Sequence, residues 1–449
     1  MLPLRGVYWP AITISLALAF SFVTGPFRAA DEPSHFFRAY EVSEGHLVST
    51  RRAGGLLGDN LPISLIHVAQ IVANFPLVPP VHTDSTSLTK AWDKKLRKHQ
   101  RMFVHFPGAA MHSPMGYIPA ALGLLLGRLL RMTPLGLFYT ARCCNAVVAG
   151  GLLGFAVRRT WRSAPAVAAL ALFPMCLFQA GTLTVDALTF GISFVWFAEI
   201  LNARNSPGLH SRWFWLVGAL VLSQLRFPYP FLGLLVFALP TESMGRSKPE
   251  RRSFLLCFFL LLSVPCLVWI SIAQSLRVQM RPFVQIQPEA QLHFVLSHPM
   301  NFLSLIGSEV FHSGLGYWRE AVGIFGWLDI PLPVWLVASV TVALCVTICA
   351  TDTERLRLTG RLRLGLFILG ASGLVLTLLL VYLGWNSLKA THIEGWQGRY
   401  SLPFLPTIAL ALSCGWLTRR QWITRCALGF TVAANLYSII YIARLTYFT

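Results

Sequence analysis

Acidic residues are scarce in this chain: eighteen Asp and Glu stand among 449 residues, against thirty-seven Lys and Arg. Their positions are therefore informative. Asp31 and Glu32 follow an apolar block within a few residues, and Asp186 stands in a short turn between two others. A carboxylate in such a place can take a proton from an attacking group. It can equally be a solvated loop start, or a cap whose oxygen satisfies backbone N–H groups at a helix end. Arg226 interrupts an apolar stretch and Arg399 enters one. A guanidinium near bilayer depth is costly, so it marks an anion site, an ion pair, or a side chain that snorkels to the headgroups.

The elements that carry these residues follow from composition. Charged residues make up 12% of the chain, apolar ones 55%, and mean hydropathy is +0.59. So few charges cannot cover a soluble surface, and disorder needs the opposite composition. The apolar residues come in blocks near the roughly 20 residues that span a bilayer as a helix. The chain reads as an all-α, polytopic transmembrane helical bundle. The net charge of +19 first suggests nucleic acid. Many of the basic residues lie between apolar blocks, however, which is an orientation signal, so no nucleic-acid partner is expected. Nine cysteines fall in or beside apolar blocks, and none suggests a disulfide framework or metal site.

The first block runs from about Val7 to Gly25 and is expected to be an uncleaved helix. Ten more lie at about 136–157, 165–182, 187–203, 213–224, 228–240, 253–273, 332–351, 363–385, 400–418 and 422–444, about 11 spans in all. The pair 213–224 and 228–240 is short, since twelve helical residues cover about 18 Å. Five loops are rich in Arg: those at Arg158, Arg204, Arg251, Arg357 and Arg420. Eleven spans with the amino terminus inside put all five on the cytoplasmic side. That topology requires 115–132 to lie at the outer interface without crossing. The long segment 26–134 and the segment 274–331 are then outer loops. The run Lys94 to Arg101 reads as a solvated or headgroup-facing helix face. No GxGxxG, GxxxxGK[ST] or GxSxG motif occurs, so nucleotide-driven transport and serine-hydrolase chemistry have no support.

Several stretches recur together in one known family. They are Asp31-Glu32-Pro33-Ser34-His35-Phe36-Phe37-Arg38, His112-Ser113-Pro114-Met115-Gly116-Tyr117, Arg142 with Asn145, and Thr184-Val185-Asp186-Ala187. Arg226-Phe227-Pro228-Tyr229, Gly323-Ile324-Phe325-Gly326-Trp327 and Gly395-Trp396-Gln397-Gly398-Arg399-Tyr400 complete the set. In order and spacing, from about residue 10 to 410, the chain resembles the bacterial membrane-protein family called domain of unknown function 2142. That family is placed in the GT-C group of polytopic glycosyltransferases. Arg226 departs from the resemblance, where Lys is expected; the charge survives but becomes a planar fork.

The resemblance implies a glycosyltransferase at the outer face of the bacterial plasma membrane. It would move a sugar from a polyprenyl-phosphate donor to an envelope glycan, lipid or protein. Its catalytic module would be residues 1–273, followed by the outer loop 274–331 and a carboxy-terminal helical module, 332–449. Asp31 would be the base, with Glu32 and Asp186 as further catalytic carboxylates. Arg226, Arg399 and Tyr400 would hold the donor phosphate, and His35, Arg38, Tyr117 and Gln397 would position donor or acceptor. A divalent cation, Mg or Mn, shared by Asp31 and Asp186 is the one cofactor suggested. Two other readings stand beside this one: a flippase or transporter of lipid-linked sugars, which needs charge along a path through the bilayer, and a non-catalytic assembly protein, in which Asp31 and Asp186 lie far apart.

Overall fold

The computed structural model describes residues 8–76, 80–206, 208, 210–279, 281 and 284–448. Its first helix, Tyr8–Val23, lies in a notch made of small residues. A Cβ added at Gly154 would sit 2.4 Å from Pro10 Cα, and one at Gly181 would sit 2.4 Å from the Ala17 carbonyl. Glycine at these points lets backbones approach closely, which is how helices associate where lipid removes the hydrophobic drive. Thr13 Oγ1 adds a bond of 2.7 Å to the Gly150 carbonyl.

Five described helices are each long and apolar enough to cross a membrane: Pro134–Thr160, Val185–Asn205, Lys248–Ser275, Gly360–Trp385 and Gln421–Tyr447. The remaining apolar blocks are shorter or broken, so the count of eleven full spans does not appear as eleven long helices. Block 165–182 divides into Pro165–Ala171 and Pro174–Ala180, both wholly buried. Phe173 takes an extended conformation at the break, as a residue before proline tends to. The short pair becomes the α-helix Arg212–Ser223 and a ten-residue 3-10 helix, Tyr229–Ala238. At about 2 Å rise per residue, the 3-10 geometry stretches ten residues to roughly 20 Å.

Two regions differ from the sequence expectation. The stretch 274–331 is not an extended loop: it holds the helices Pro288–Ser297 and Pro299–Gly323 and a small hairpin, β4 (Ile324–Phe325) with β5 (Ile330–Pro331). The bundle is also not purely helical, because β1 (Thr50–Arg52), β2 (Leu56–Pro62) and β3 (Arg101–His105) form an antiparallel sheet in the first long loop. Gly54 and Gly55, both at positive φ, make the turn from β1 to β2. The segment 115–132 becomes a 3-10 turn, Pro114–Tyr117, and a twelve-residue helix, Ile118–Leu129. At about 18 Å that helix is as short as Arg212–Ser223. Its Leu122, Leu126 and Leu129 are exposed.

Candidate functional site

Asp186 sits in the first turn of the Val185–Asn205 helix, where free N–H groups favour negative charge. The cap itself is Thr184, whose hydroxyl accepts from Ala187 N, so Asp186 is free for other partners. It has two. Arg226 Nη1 donates to Oδ1 at 3.1 Å, and Arg399 Nε stands 3.2 Å from Oδ2. Asp186 and Arg399 are buried, while Arg226 retains some exposure. Tyr400 faces both guanidinium groups, at 4.3 Å from Arg226 and 5.5 Å from Arg399, an attractive cation–π arrangement. Its carbonyl accepts from Tyr229 Oη at 3.1 Å. Two positive groups and one negative leave the trio with one net positive charge. Arg399 Nε makes no aligned hydrogen bond, its contact with Asp186 being ionic only.

Backbone packing brings these residues together from distant parts of the chain. Gly398 N donates to Glu320 Oε2 at 2.6 Å, and a Cβ on Gly398 would lie 1.8 Å from the Tyr317 carbonyl. Only glycine allows that approach, and it fixes Arg399 one residue later. Gly116 lets the 3-10 turn close on the Asp186 helix, since a Cβ there would strike Val185 at 2.6 Å. Ser113 Oγ donates to Gln224 Oε1 at 2.9 Å, tying the same turn to the segment that carries Arg226.

That turn delivers Tyr117 to His35. His35 Nδ1 lies 2.8 Å from Tyr117 Oη, which donates onward to the Ala109 carbonyl. The chain is satisfied when Nδ1 carries the ring proton, leaving Nε2 as an acceptor. The ring of His112 lies 6.2 Å from that of His35, nearly parallel. Burial drives the His35 pKa down to about 4; the charges of Asp31 and Asp186 oppose this, and those of Arg399 and Arg226 add to it. His112 is also held well below its usual range, by burial first and then by Arg226. Both imidazoles are therefore neutral at neutral pH. Burial raises the Tyr117 phenol above its ordinary value, so it remains a donor. Asp31, Asp186, Arg226 and Arg399 all act on the one imidazole of His35.

Asp31 forms the corner before the Glu32–Ser43 helix, at φ 60° and ψ 10°. For a non-glycine residue that left-handed conformation costs roughly 1–2 kcal/mol. Its side chain makes no capping bond and is exposed. The next residue points the other way. Glu32 is fully buried and accepts from Arg142 Nε at 2.8 Å, Arg142 Nη2 at 2.6 Å and Leu183 N at 2.9 Å. Arg142 also donates to the carbonyls of Ser21, Thr24 and Gly25. Three residues on, Asn145 Nδ2 donates to the Thr182 carbonyl at 2.7 Å. Glu32 was expected among the catalytic carboxylates. Enclosed in this way it offers no oxygen to a substrate; it ties the end of the first helix to the turn that presents Asp186.

Arg38, expected to position donor or acceptor, also reaches toward His112, with its Nη2 3.5 Å from the His112 carbonyl. Fully buried, it bonds Glu41, Ser49 Oγ and the Leu47 carbonyl. Gln397 lies two residues before Arg399, and its buried Oε1 has no partner. His112, Tyr229 and the Glu32–Arg142 lock were not singled out as site residues from the sequence. Their signal was present in the motifs that contain His112, Arg142 and Tyr229, but not in any single residue type. A further lock joins Arg28 to Asp329 in the β4–β5 turn, where Phe325 packs against Phe178 at 4.8 Å and Phe20 at 6.0 Å.

Residues 15–408 match a family described as predicted membrane protein DUF2142. The chain belongs to that family. No curated protein and no solved structure matches it. As a DUF2142 protein it is a membrane protein with several apolar helices, and the charged cluster lies at the first turn of one of them, Val185–Asn205. Arg204, at the far end of the Asp186 helix, lies about 27 Å away along the axis.

A divalent cation between Asp31 and Asp186 does not fit this site. Both Asp186 oxygens already face guanidinium groups, and the trio is net positive. Among the described residues no three His, Cys, Asp or Glu side chains converge as metal ligands.

Proposed function

We propose that this chain is a GT-C-type glycosyltransferase that uses a polyprenyl-phosphate-linked sugar. The observation that carries the reading is the net positive Arg226–Asp186–Arg399 trio, which acts on the same imidazole, His35, as the exposed carboxylate Asp31. The donor phosphate binds Arg226 and Arg399 over Tyr400, with its lipid tail in the bilayer. The acceptor hydroxyl or amide attacks the sugar's anomeric carbon as Asp31 takes its proton. The bond from that carbon to the phosphate oxygen breaks, and polyprenyl phosphate leaves. The charge growing on its phosphate is met by groups already in place, which is the largest catalytic contribution such a site makes. His35 and Tyr117, both neutral, line the acceptor side.

Orientation follows the same proposal. The five Arg-rich loops face the cytoplasm and the site faces outward, with the broken blocks counted as crossings to give eleven. A transporter needs charge along a path; near the other end the buried carboxylate of Glu199 is already held by the half-buried Arg159 and His210. The test is transfer by purified protein in vesicles supplied with a polyprenyl-phosphate sugar and envelope acceptor. Asp31→Asn keeps a side chain that tolerates the left-handed corner but cannot take the proton. Transfer is expected to fall by roughly 10²–10⁴-fold; wild-type transfer by the folded variant would remove Asp31 as the base.

A further inference from the structure

The helix Pro299–Gly323 occupies a stretch whose sequence suggests a loop in water. From Pro299 to Trp318 it holds no Lys, Arg or Asp and one Glu, Glu309. That Glu is turned inward: buried, it accepts from Tyr317 Oη at 3.0 Å and from Ile393 N at 2.8 Å. The outward side is apolar. Met300, Leu303, Phe311 and Leu315 are 71%, 55%, 84% and 77% exposed. They recur at intervals of three, four or eight residues, which is one helical face. Such a face, about 22 Å long and without charge, has no counterpart in an ordinary soluble surface.

The depth of this helix is set by its inner face. Phe302 stacks on Tyr382 with ring centres 5.6 Å apart, three residues before the end of the Gly360–Trp385 helix. Trp318 Nε1 donates to Thr341 Oγ1, at 2.8 Å, on the Val334–Ala350 helix. The helix thus packs across apolar helices one to two turns below their ends, where Trp385, Val334 and Trp335 are themselves exposed apolar side chains.

We infer that the face from Met300 to Leu315 is a lipid-contact surface, and that this helix lies in the membrane interface with the acyl chains of one leaflet against it. The geometry is that of an interfacial amphipathic helix, buried by roughly 5–10 Å at the headgroup boundary. The inference goes beyond the transferase reading and stands whether or not the chain transfers a sugar. It also ties lipid to the site, because Glu320 on this helix holds Gly398, next to Arg399.

The test uses the full chain in phosphatidylcholine–phosphatidylglycerol vesicles. Spin labels are placed by Phe311→Cys, Leu315→Cys and, as a control on an exposed polar residue, Gln287→Cys, in a cysteine-free background. At 311 and 315, collision with oxygen, which concentrates in lipid, is expected to exceed collision with a water-soluble nickel chelate several-fold more than at 287. Nickel access at 311 and 315 equal to that at 287 would overturn the inference. Exclusion of both reagents would also overturn it, by showing a protein cover such as a second copy. Phe311→p-benzoyl-phenylalanine in the otherwise unchanged chain guards against a misfolded cysteine-free variant. Photolysis is expected to yield phospholipid adducts, and protein dimers instead would again refute the lipid assignment.

Discussion

Replacing Arg399 by Gln removes one of two guanidinium groups from Asp186 and leaves Arg226 to neutralise the carboxylate. The trio falls from one net positive charge to none, so no buried charge is left uncompensated. Asp186→Asn does the reverse and leaves two cations facing one another. Breaking a buried ion pair from one side costs about 3–5 kcal/mol, the loss expected for Asp186→Asn in the ligand-free protein. For Arg399→Gln the expected loss is on the order of 1 kcal/mol, because its Nε has only an unaligned ionic contact to lose.

With a phosphate ligand the larger effect belongs to Arg399→Gln. A charge-assisted hydrogen bond contributes about 1.5–3 kcal/mol, so losing it weakens Kd by roughly ten- to hundredfold. Polyprenyl phosphate at about a hundred times its Kd stabilises the wild-type fold by about 2.7 kcal/mol. At the same concentration a hundredfold weaker site leaves only about 0.4 kcal/mol. Thermal unfolding in nanodiscs, with and without polyprenyl phosphate, separates the two cases. An undiminished ligand shift in Arg399→Gln, or a ligand-free loss as large as that of Asp186→Asn, would refute the assignment of Arg399 to phosphate.

Three further outcomes are expected. Glu32→Gln leaves the buried Arg142 charge facing a neutral amide, and thermal unfolding in detergent should show a loss of about 3–5 kcal/mol. His35 is held neutral in the fold, with its pKa lowered from 6.5 to about 4, so the unfolded chain binds the proton first. Its contribution to stability is present above pH 6.5 and is lost as pH falls from 6.5 towards 4; His35→Gln should flatten the thermal midpoint across that window. In a cysteine-free background, an impermeant thiol reagent applied to intact cells should label Ser87→Cys and spare Ser247→Cys, and labelling at 247 would invert the proposed orientation.

The apolar blocks were legible because hydropathy is a local property of composition, and each of the eleven became helical in some form. Their conformation was less legible. Phe173-Pro174 breaks one block, and Tyr229–Ala238 winds as a 3-10 helix with the same composition that elsewhere gives α-helix. The helix Pro299–Gly323 was missed because Glu309, His312 and several polar residues dilute its hydropathy; its apolar residues lie on one face, not in one run. The small sheet was signalled only by Gly54-Gly55, since its strands are three, seven and five residues long.

The sequence by itself determined that this is a helical membrane chain, that Asp31 and Asp186 mark the informative turns, and that Arg226 and Arg399 call for an anion, an ion pair or a reach to the headgroups. Each of those is a statement about one residue in one stretch. Only the tertiary structure decided which charges meet. Asp31 and Glu32 are adjacent and chemically alike, yet one turns outward from a left-handed corner while the other is enclosed by Arg142. Asp186 gathers two arginines from segments far apart in the chain, and the sign of the resulting cluster is a sum over all three. Burial and charge pairing are properties of many residues at once, and no stretch of sequence carries them alone.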